Sequence, residues 1–380
     1  MTAPIRIAIA GTGNIARVHA KALADCERAL AAREAAASPA ATVVAAMDTD
    51  DSKLGPFCAE WGIPGRYRHL TDLLSRARPD LVHICTPPAA HAGIALGCLR
   101  AGVSVLVEKP PVLSLAEFDE LTAADQGPPW FATVFQHRFG SGQRRLKSLA
   151  ADGVLGRPLL AVCHTTWFRD QAYFDVPWRG RWDTEGGGPT MGHGIHQMDM
   201  LLDVLGDWTE VSAIARTQAR RTATEDLSLA HVTFAGGAVA SVVNSVLSPR
   251  EESYLRFDFE RATVEVTHLY GYGDADWRIT PAPGHAEEVL AAWKRAEHGV
   301  RSGHAAQFAH VLAALREGRR PPVEPAAARR TMALVAGVYA SAATRRPVTP
   351  GDLAPGTPFY DQMKGGDPAW LCPCDTTTRR

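Results

Sequence analysis

Gly11-Thr12-Gly13-Asn14-Ile15-Ala16 has the G-x-G-x-x-A spacing with which a chain turns tightly and lays its backbone against a pyrophosphate. Gly11 would make the turn, Gly13 would leave room for the anion, and Ala16 would let the following helix sit close to a strand. Asn14 and Ile15 open that helix, whose first N–H groups lack intrahelical partners and suit an anion. Such a site also wants an acid at the end of the second strand for the ribose hydroxyls. Asp48 is the candidate, 35 residues after Gly13 where ~20 is usual. An Ala/Glu/Arg-rich extension of the first helix, residues 27–38, accounts for the extra length. The Asp48 charge would repel a 2′-phosphate, so NAD is expected, with NADP as the alternative; the bland reading is a solvated acidic turn.

Glu108-Lys109-Pro110 follows another short apolar run, Val103 to Val107. Ligands collect at the carboxyl ends of strands in an open α/β sheet, so Lys109 is expected in the cofactor crevice. Pro110 holds Lys109 out of helical conformation. Taking hydride from a carbinol carbon also requires a base for the hydroxyl proton, usually histidine, and an ammonium stabilises the developing alkoxide. His196 and Lys109 fill these roles. His193, His196 and Asp199 are spaced by three and resemble a metal set, but no fourth ligand of recognisable spacing follows, so no metal is expected. Cys372-Pro-Cys374 is read as part of a loose tail. Gly186-Gly187-Gly188 would permit close approach of backbone to cofactor or substrate. Between Trp167 and Trp182 lie Phe168, Arg169, Tyr173, Phe174, Trp178, Arg179 and Arg181, a mixture that suits a pyranose: rings for its C–H face, guanidinium donors for its hydroxyls. The alternative is that several of them only pack a domain interface.

These groups need elements to position them. Short apolar runs at 5–10, 42–47, 81–85, 103–107 and 131–136 alternate with helical stretches, which implies a parallel sheet with helices on both faces. Beyond Gly140-Ser141-Gly142 the pattern changes to consecutive strands at 159–168, 211–217, 227–234, 238–247, 255–259, 263–267 and 277–280, with Ala235-Gly236-Gly237 as a hairpin turn. Helices are expected at 193–205, 286–298, 303–317 and 325–343. The fold class is therefore α/β: a Rossmann dinucleotide-binding domain over 1–138, an α/β domain with a large open, mostly antiparallel sheet over 139–362, and a flexible tail over 363–380. Helices would cover one face of that second sheet only, so a homodimer or homotetramer joined through the other face is expected. Across 380 residues, 40 Lys+Arg balance 41 Asp+Glu, which leaves no electrostatic footprint for nucleic acid or anionic lipid. No run of ~18 apolar residues suggests a membrane span. Seven scattered cysteines and a start without secretory-signal features point to a reducing compartment, the cytoplasm.

Thr86-Pro87-Pro88-Ala89-Ala90-His91, the run Ala101-Gly102 to Glu108-Lys109-Pro110, Gln136-His137-Arg138-Phe139, and the glycine triplet followed by His196 and Asp199 resemble the Gfo/Idh/MocA family over residues 3–345. Its members include glucose-fructose oxidoreductase, inositol dehydrogenase and rhizopine-catabolism relatives. The resemblance implies a nicotinamide-linked oxidoreductase acting on a hydroxyl or carbonyl of a sugar or cyclitol, with Lys109 and His196 as its catalytic pair. It extends the cofactor contacts to Thr86, Pro87, His91, Glu108, Lys109 and Gln136. Substrate contacts then fall on His137, Arg138, Arg169, Tyr173, Trp178, Arg179, His193 and His196. The family's Asp, four residues before the histidine, falls on Gly192, which leaves His193 as a substitute partner or substrate contact. Two other functions fit the same residues: a tightly held NAD used transiently for glycoside cleavage or epimerisation, and a dinucleotide-binding sensor without turnover.

Overall fold

The computed structural model describes residues 3–34, 39–366 and 371. They form two compact units, Met1–Val112 with Glu117–Gln136 and His304–Ala326, and Leu113–Ala116 with His137–Gly303 and Ala327–Arg380.

In the first unit, strands β1 (Ile5–Ala10), β2 (Ala41–Met47), β3 (Gly65–Tyr67), β4 (Leu81–Ile84), β5 (Ser104–Val107) and β6 (Phe131–Thr133) make one sheet in the order β3-β2-β1-β4-β5-β6. Every pairing is parallel. This is the doubly wound order, in which ligands gather where the strand order reverses, at β1 and β4. The crossovers are α1 (Asn14–Glu34), α2 (Asp51–Trp61), α3 (His91–Arg100) and α4 (Leu115–Ala124). Strands buried on both faces need continuous apolar runs, and Ile7, Ala8, Ile9 and Ala10 are wholly buried. Ala16, Ala20 and Leu23 of α1 recur at helical spacing and meet Ile7 and Ile9 in the core.

Residues 304–326 fell within the second domain in the sequence reading. The structure packs them in the first unit, because Phe308, Val311 and Leu312 complete the core under α1. Polar contacts reinforce the docking: Gln307 Nε2 donates to the Thr133 carbonyl at 2.8 Å and Arg320 pairs with Asp125.

The second unit holds a seven-stranded sheet of β7 (Pro158–Phe168), β8 (Trp208–Arg216), β9 (Leu227–Phe234), β10 (Val239–Ser245), β11 (Leu247–Phe259), β12 (Ala262–His268) and β13 (Trp277–Pro281), ordered β13-β12-β11-β7-β10-β9-β8. Only β7 and β10 run parallel. Helices α5 (Ser141–Ala151), α6 (Ile195–Leu205) and α7 (Ala286–Arg295) follow the chain, α8 (His304–Arg316) belongs to the first unit, and α9 (Pro325–Thr344) returns to the second. Along β9, Ser228, Ala230, Val232 and Phe234 point inward and alternate with the more exposed Leu229 and His231. The outward Leu160, Ile214, Leu229 and Val239 form exposed apolar positions on three adjoining strands and β7, Ile214 being 55% accessible.

Met363 and Leu371 of the expected tail are buried, while 367–370 and 372–380, with Cys372 and Cys374, lie outside the described residues.

Glu225, in the β8–β9 connection, is a buried carboxyl. Oε2 accepts the Gly188 N–H, and Oε1 accepts the Thr190 N–H and the Tyr339 hydroxyl, all at 3.0 Å. Burial nevertheless raises its pKa from 4.5 to about 7. The folded state therefore binds the proton more tightly than the unfolded one, and stability falls as pH rises from 4.5 to 7. That loss is roughly 3 kcal/mol at 1.36 kcal/mol per unit. Urea unfolding at pH 5 and 8 is expected to show wild type losing this increment and Glu225→Gln lacking it. An identical pH dependence in the two proteins would remove Glu225 as the cause.

Candidate functional site

The carboxyl ends of β1, β2, β4 and β5 carry the nucleotide-site residues of the first unit. Gly11 leaves β1 at φ +89°, and a Cβ there would stand 2.7 Å from the Cys85 backbone at the end of β4. Only glycine combines that torsion with that approach. Gly13 is the opposite case: apart from its own neighbours along the chain, no heavy atom lies within 4 Å of where its Cβ would be. The loop therefore leaves a cradle at the start of α1, beside the helix-opening residues Asn14 and Ile15, which suits a pyrophosphate.

Asp48 sits at the end of β2 as expected and also organises the loop. Its Oδ2 accepts the Thr12 N–H at 2.8 Å and the Thr12 hydroxyl at 2.7 Å, and its Oδ1 accepts the Asp50 N–H at 3.0 Å. A carboxylate has about four lone-pair sites, so capacity remains for a ribose hydroxyl.

Lys109 and Thr86 are partly accessible, Pro87 is exposed and Gln136 is buried. Two other expected cofactor contacts face elsewhere. His91 is buried, with Nδ1 and Nε2 each 2.8 Å from a carbonyl oxygen, those of Pro110 and Thr86. Glu108 is also buried and turns toward His19 and His304. Both side chains hold the protein's own structure around Lys109.

The second unit gathers the histidines and aromatics. A wide helical turn, Thr190–Gly194, leads into α6 and brings His193 and His196 to its start. The His196 ring lies 4.9 Å from that of His137, which in turn lies 5.3 Å from His268. Burial lowers the His268 pKa to about 4. The Tyr272 hydroxyl donates to the His137 carbonyl. His193 meets the ring of Trp167 at 5.1 Å and that of Tyr173 at 5.8 Å. Arg169 lies over Trp167 and Tyr173 and pairs with Glu251 at 2.9 Å. Arg179 stacks on Trp178 at 3.9 Å and Tyr173 at 4.4 Å and pairs with Glu185 at 2.6 Å. Burial and the Glu185 carboxylate push the Tyr173 phenol up, so it stays protonated.

Two expectations need correction here, those for Arg138 and for the glycine triplet. Arg138 is not offered to a substrate, because its guanidinium grips Asp199 at 2.6 and 2.5 Å and Asp203 at 3.1 Å. That pairing, with a hydrogen bond from Thr331, also takes Asp199 out of the suspected metal triplet. The glycine triplet makes room for protein atoms, not for a ligand: a Cβ on Gly187 would strike Tyr339 and one on Gly188 the Glu225 backbone. At Gly192 the missing carboxylate has a neighbour, since Glu185 Oε1 lies 3.6 Å from where the Cβ would be.

Glu185, Glu251, His268 and Tyr270 were missed in the sequence. Tyr270 faces Trp167 edge-on at 5.0 Å and is largely exposed. Glu185 sits three residues beyond the aromatic and arginine segment, so the demand of Arg179 for an anion was its available signal; Glu251 and His268 come from distant strands and Tyr270 from the loop after β12.

The doubly wound sheet with its glycine loop defines the first unit as a dinucleotide-binding domain. Residues 5–127 match the profile of the oxidoreductase family with an NAD-binding Rossmann fold, and residues 143–267 that of the GFO/IDH/MocA C-terminal domain. The chain belongs to the GFO/IDH/MocA family and is an NAD-binding oxidoreductase. It is 30% identical to D-glucoside 3-dehydrogenase of Escherichia coli strain K12 over 54% of this chain and 55% of that protein. To D-apiose dehydrogenase of Paraburkholderia graminis it is 25% identical over 94% of this chain and 93% of that protein. The match thus spans about half the length of the first relative and nearly all of the second. The WlbA dehydrogenase from Bordetella pertussis, in complex with NADH and UDP-GlcNAcA, has the same fold, with a TM-score of 0.78 at 24% identity over 91% of this chain and 99% of that one.

The two glycines separate folding from binding. Gly11→Ala is expected to destabilise the first unit by about 1–3 kcal/mol or more through its torsion and backbone collision. Gly13→Ala is expected to melt like wild type but to raise the Kd for NAD at least about tenfold, a loss of 1.4 kcal/mol. Calorimetry of folding and of NAD binding measures both. Unchanged NAD affinity in Gly13→Ala would remove the cradle from the cofactor site.

Proposed function

We propose that this oxidoreductase transfers hydride between nicotinamide and a hydroxyl or carbonyl carbon of a sugar, sugar derivative or cyclitol. The observation that carries the substrate class is the grouping of Trp167, Tyr173, Arg169, Arg179 and His193: aromatic faces for C–H surfaces, beside guanidinium and imidazole groups for hydroxyls. The names of two relatives, D-glucoside 3-dehydrogenase and D-apiose dehydrogenase, support it. NAD, when bound, supplies the hydride acceptor or donor. Gly13, Asn14 and Ile15 would hold its pyrophosphate and Asp48 its ribose, with NADP as the weaker ligand.

In the oxidative direction the His196 imidazole receives the hydroxyl proton, and the Lys109 ammonium stabilises the oxygen as it becomes an alkoxide. His137 and His193 bind the neighbouring hydroxyls. The aromatic rings limit water around the reacting carbon. The five described cysteines, all buried thiols, suit a reducing compartment such as the cytoplasm.

Screening D-glucose, methyl β-D-glucoside, D-apiose, anhydrosugars and inositols for formation of reduced nicotinamide tests the reading. Stoichiometric NADH formation distinguishes it from a transient oxidation that regenerates the cofactor. His196→Ala should lose ~10²- to 10⁴-fold in turnover. Lys109→Ala should lose ~10²- to 10³-fold. Both should still bind NAD. Near wild-type turnover in either variant would sink the role assigned to that residue.

We also propose that the outer face of the second sheet joins copies of the chain into a homodimer or homotetramer. Ile214 and Leu229 lie opposite each other across β8 and β9 and are exposed, as are Val239 and Leu160 across β10 and β7. Light scattering should find an oligomer for wild type and a folded monomer for Ile214→Glu with Leu229→Lys. A monomeric wild type would overturn this.

A further inference from the structure

The residue before Lys109 is a buried carboxylate with every visible partner drawn from the first unit. Glu108 is 4% accessible, His19 and His83 lie at 0% and 1%, and the His304 side chain at 13%. Glu108 Oε1 lies 2.9 Å from His19 Nε2 and 3.1 Å from His304 Nε2, while Oε2 accepts the Lys109 backbone N–H at 3.0 Å. His19 Nδ1 lies 3.0 Å from His83 Nδ1.

The protons in this chain can be assigned from valence alone. An ionised carboxylate only accepts, so His19 and His304 each donate from Nε2. A neutral His19 then has a bare Nδ1, which accepts from His83 Nδ1–H. The hydrogen bonds run from His83 to His19 to Glu108, with His304 and the Lys109 N–H converging on the same carboxylate. No further proton is required, and burial favours the neutral form of His83. Beyond Lys109, the buried His91 ring sits against the Pro110 carbonyl. The backbone around 109 is therefore held on one side by the neighbouring Glu108 carboxylate, itself anchored by His19 and His304, and on the other by His91.

We propose that Glu108 is a positioning residue for the Lys109 ammonium, with His19 and His304 as the struts that hold its carboxylate in place. The inference rests on the catalytic reading of Lys109 given above. A buried carboxylate whose Oε2 accepts the Lys109 N–H acts here through the main chain. It sets where the Lys109 backbone leaves β5, and hence the direction from which the ammonium approaches the reacting oxygen. Misplacement by about 1 Å at such a site is enough to lose ~10²-fold in rate.

The test uses the full chain with Glu108→Leu, which removes both acceptor oxygens at similar volume, and Glu108→Gln, which keeps one. Hydrogen exchange followed by mass spectrometry, without nucleotide or sugar, on peptides that begin at or before residue 104 and end at 108 and at 111 reads the Lys109 N–H by difference, because Pro110 and Pro111 carry no amide hydrogen. Exchange is expected about 10- to 100-fold faster in Glu108→Leu and by less in Glu108→Gln. With NAD and the best panel sugar, kcat is expected to fall about 10- to 100-fold in Glu108→Leu. KM should stay within about threefold, and Glu108→Gln should recover part of the rate. Each substitution is then repeated in a Lys109→Ala background, where a residue acting only through Lys109 has nothing left to lose. An equal further loss in that background overturns the proposal and leaves Lys109 catalytic. Full activity of Lys109→Ala alone overturns the reading of Lys109 and the proposal with it. Should Glu108→Leu fail to fold, Glu108→Gln in the two backgrounds decides by the same comparison.

Discussion

Keeping the Glu108 carboxylate out of water is the constraint around which the first unit is arranged. A buried charge is tolerated only with a full set of donors, and these come from α1, from the backbone after β5 and from the first residue of α8. The three elements cannot shift independently without leaving a charge unsatisfied. Apolar packing of Ile7, Ile9, Leu23 and Phe308 supplies the bulk of the burial but has no directional preference. The hydrogen bonds to Glu108 add direction, so that the helix after the glycine loop, the strand before Lys109 and the returning α8 share one register.

The second unit solves a related problem with a different device. Arg138 engages Asp199 and Asp203, and Lys147 adds a further cation to Asp203 at 2.7 Å, so charges on α5 and α6 are neutralised locally. Glu225 is answered only by neutral donors, and the difference shows in its raised pKa. The wide turn that presents His193 is fastened at Gly188 and Thr190 by this same carboxyl. The histidine group and the aromatic group thus lean on buried polar contacts, whereas the outer sheet face exposes Leu160, Ile214, Leu229 and Val239 among the described residues.

Much of this was legible in the sequence where local pattern and global position agree. The strand, glycine loop and helix at 5–34 have one consistent reading, and Phe234 accepting from Gly237 closes the expected hairpin. Residues 248–254 fall between the expected strands because Pro249, Arg250, Glu251 and Glu252 lack an apolar alternation. They extend β11 because the irregular pairing with β7 between Leu247 and Glu252 accommodates them at an exposed margin. Gly65–Tyr67 is too short to announce a strand. At the site, residue type told which groups were chemically able but not where they point. His91, Glu108 and Arg138 have suitable chemistry and spend it on backbone, histidine and aspartate partners. Glu251, His268 and Tyr270 reach the aromatic and histidine groups only because strands far apart in sequence lie side by side.

The return of 304–326 to the first unit gives the chain an order of events during synthesis. The sheet, α1 and the glycine loop are complete once residue 136 has left the ribosome, yet Phe308, Val311 and Leu312, which close their core, follow only after the intervening 137–303. At ~5–20 residues per second that interval lasts roughly 10–30 s. Over that time the nascent first unit carries an open apolar seam under α1 and a Glu108 carboxylate lacking the His304 donor. The nucleotide-binding half, although first in sequence, is thus among the last parts of the chain to close.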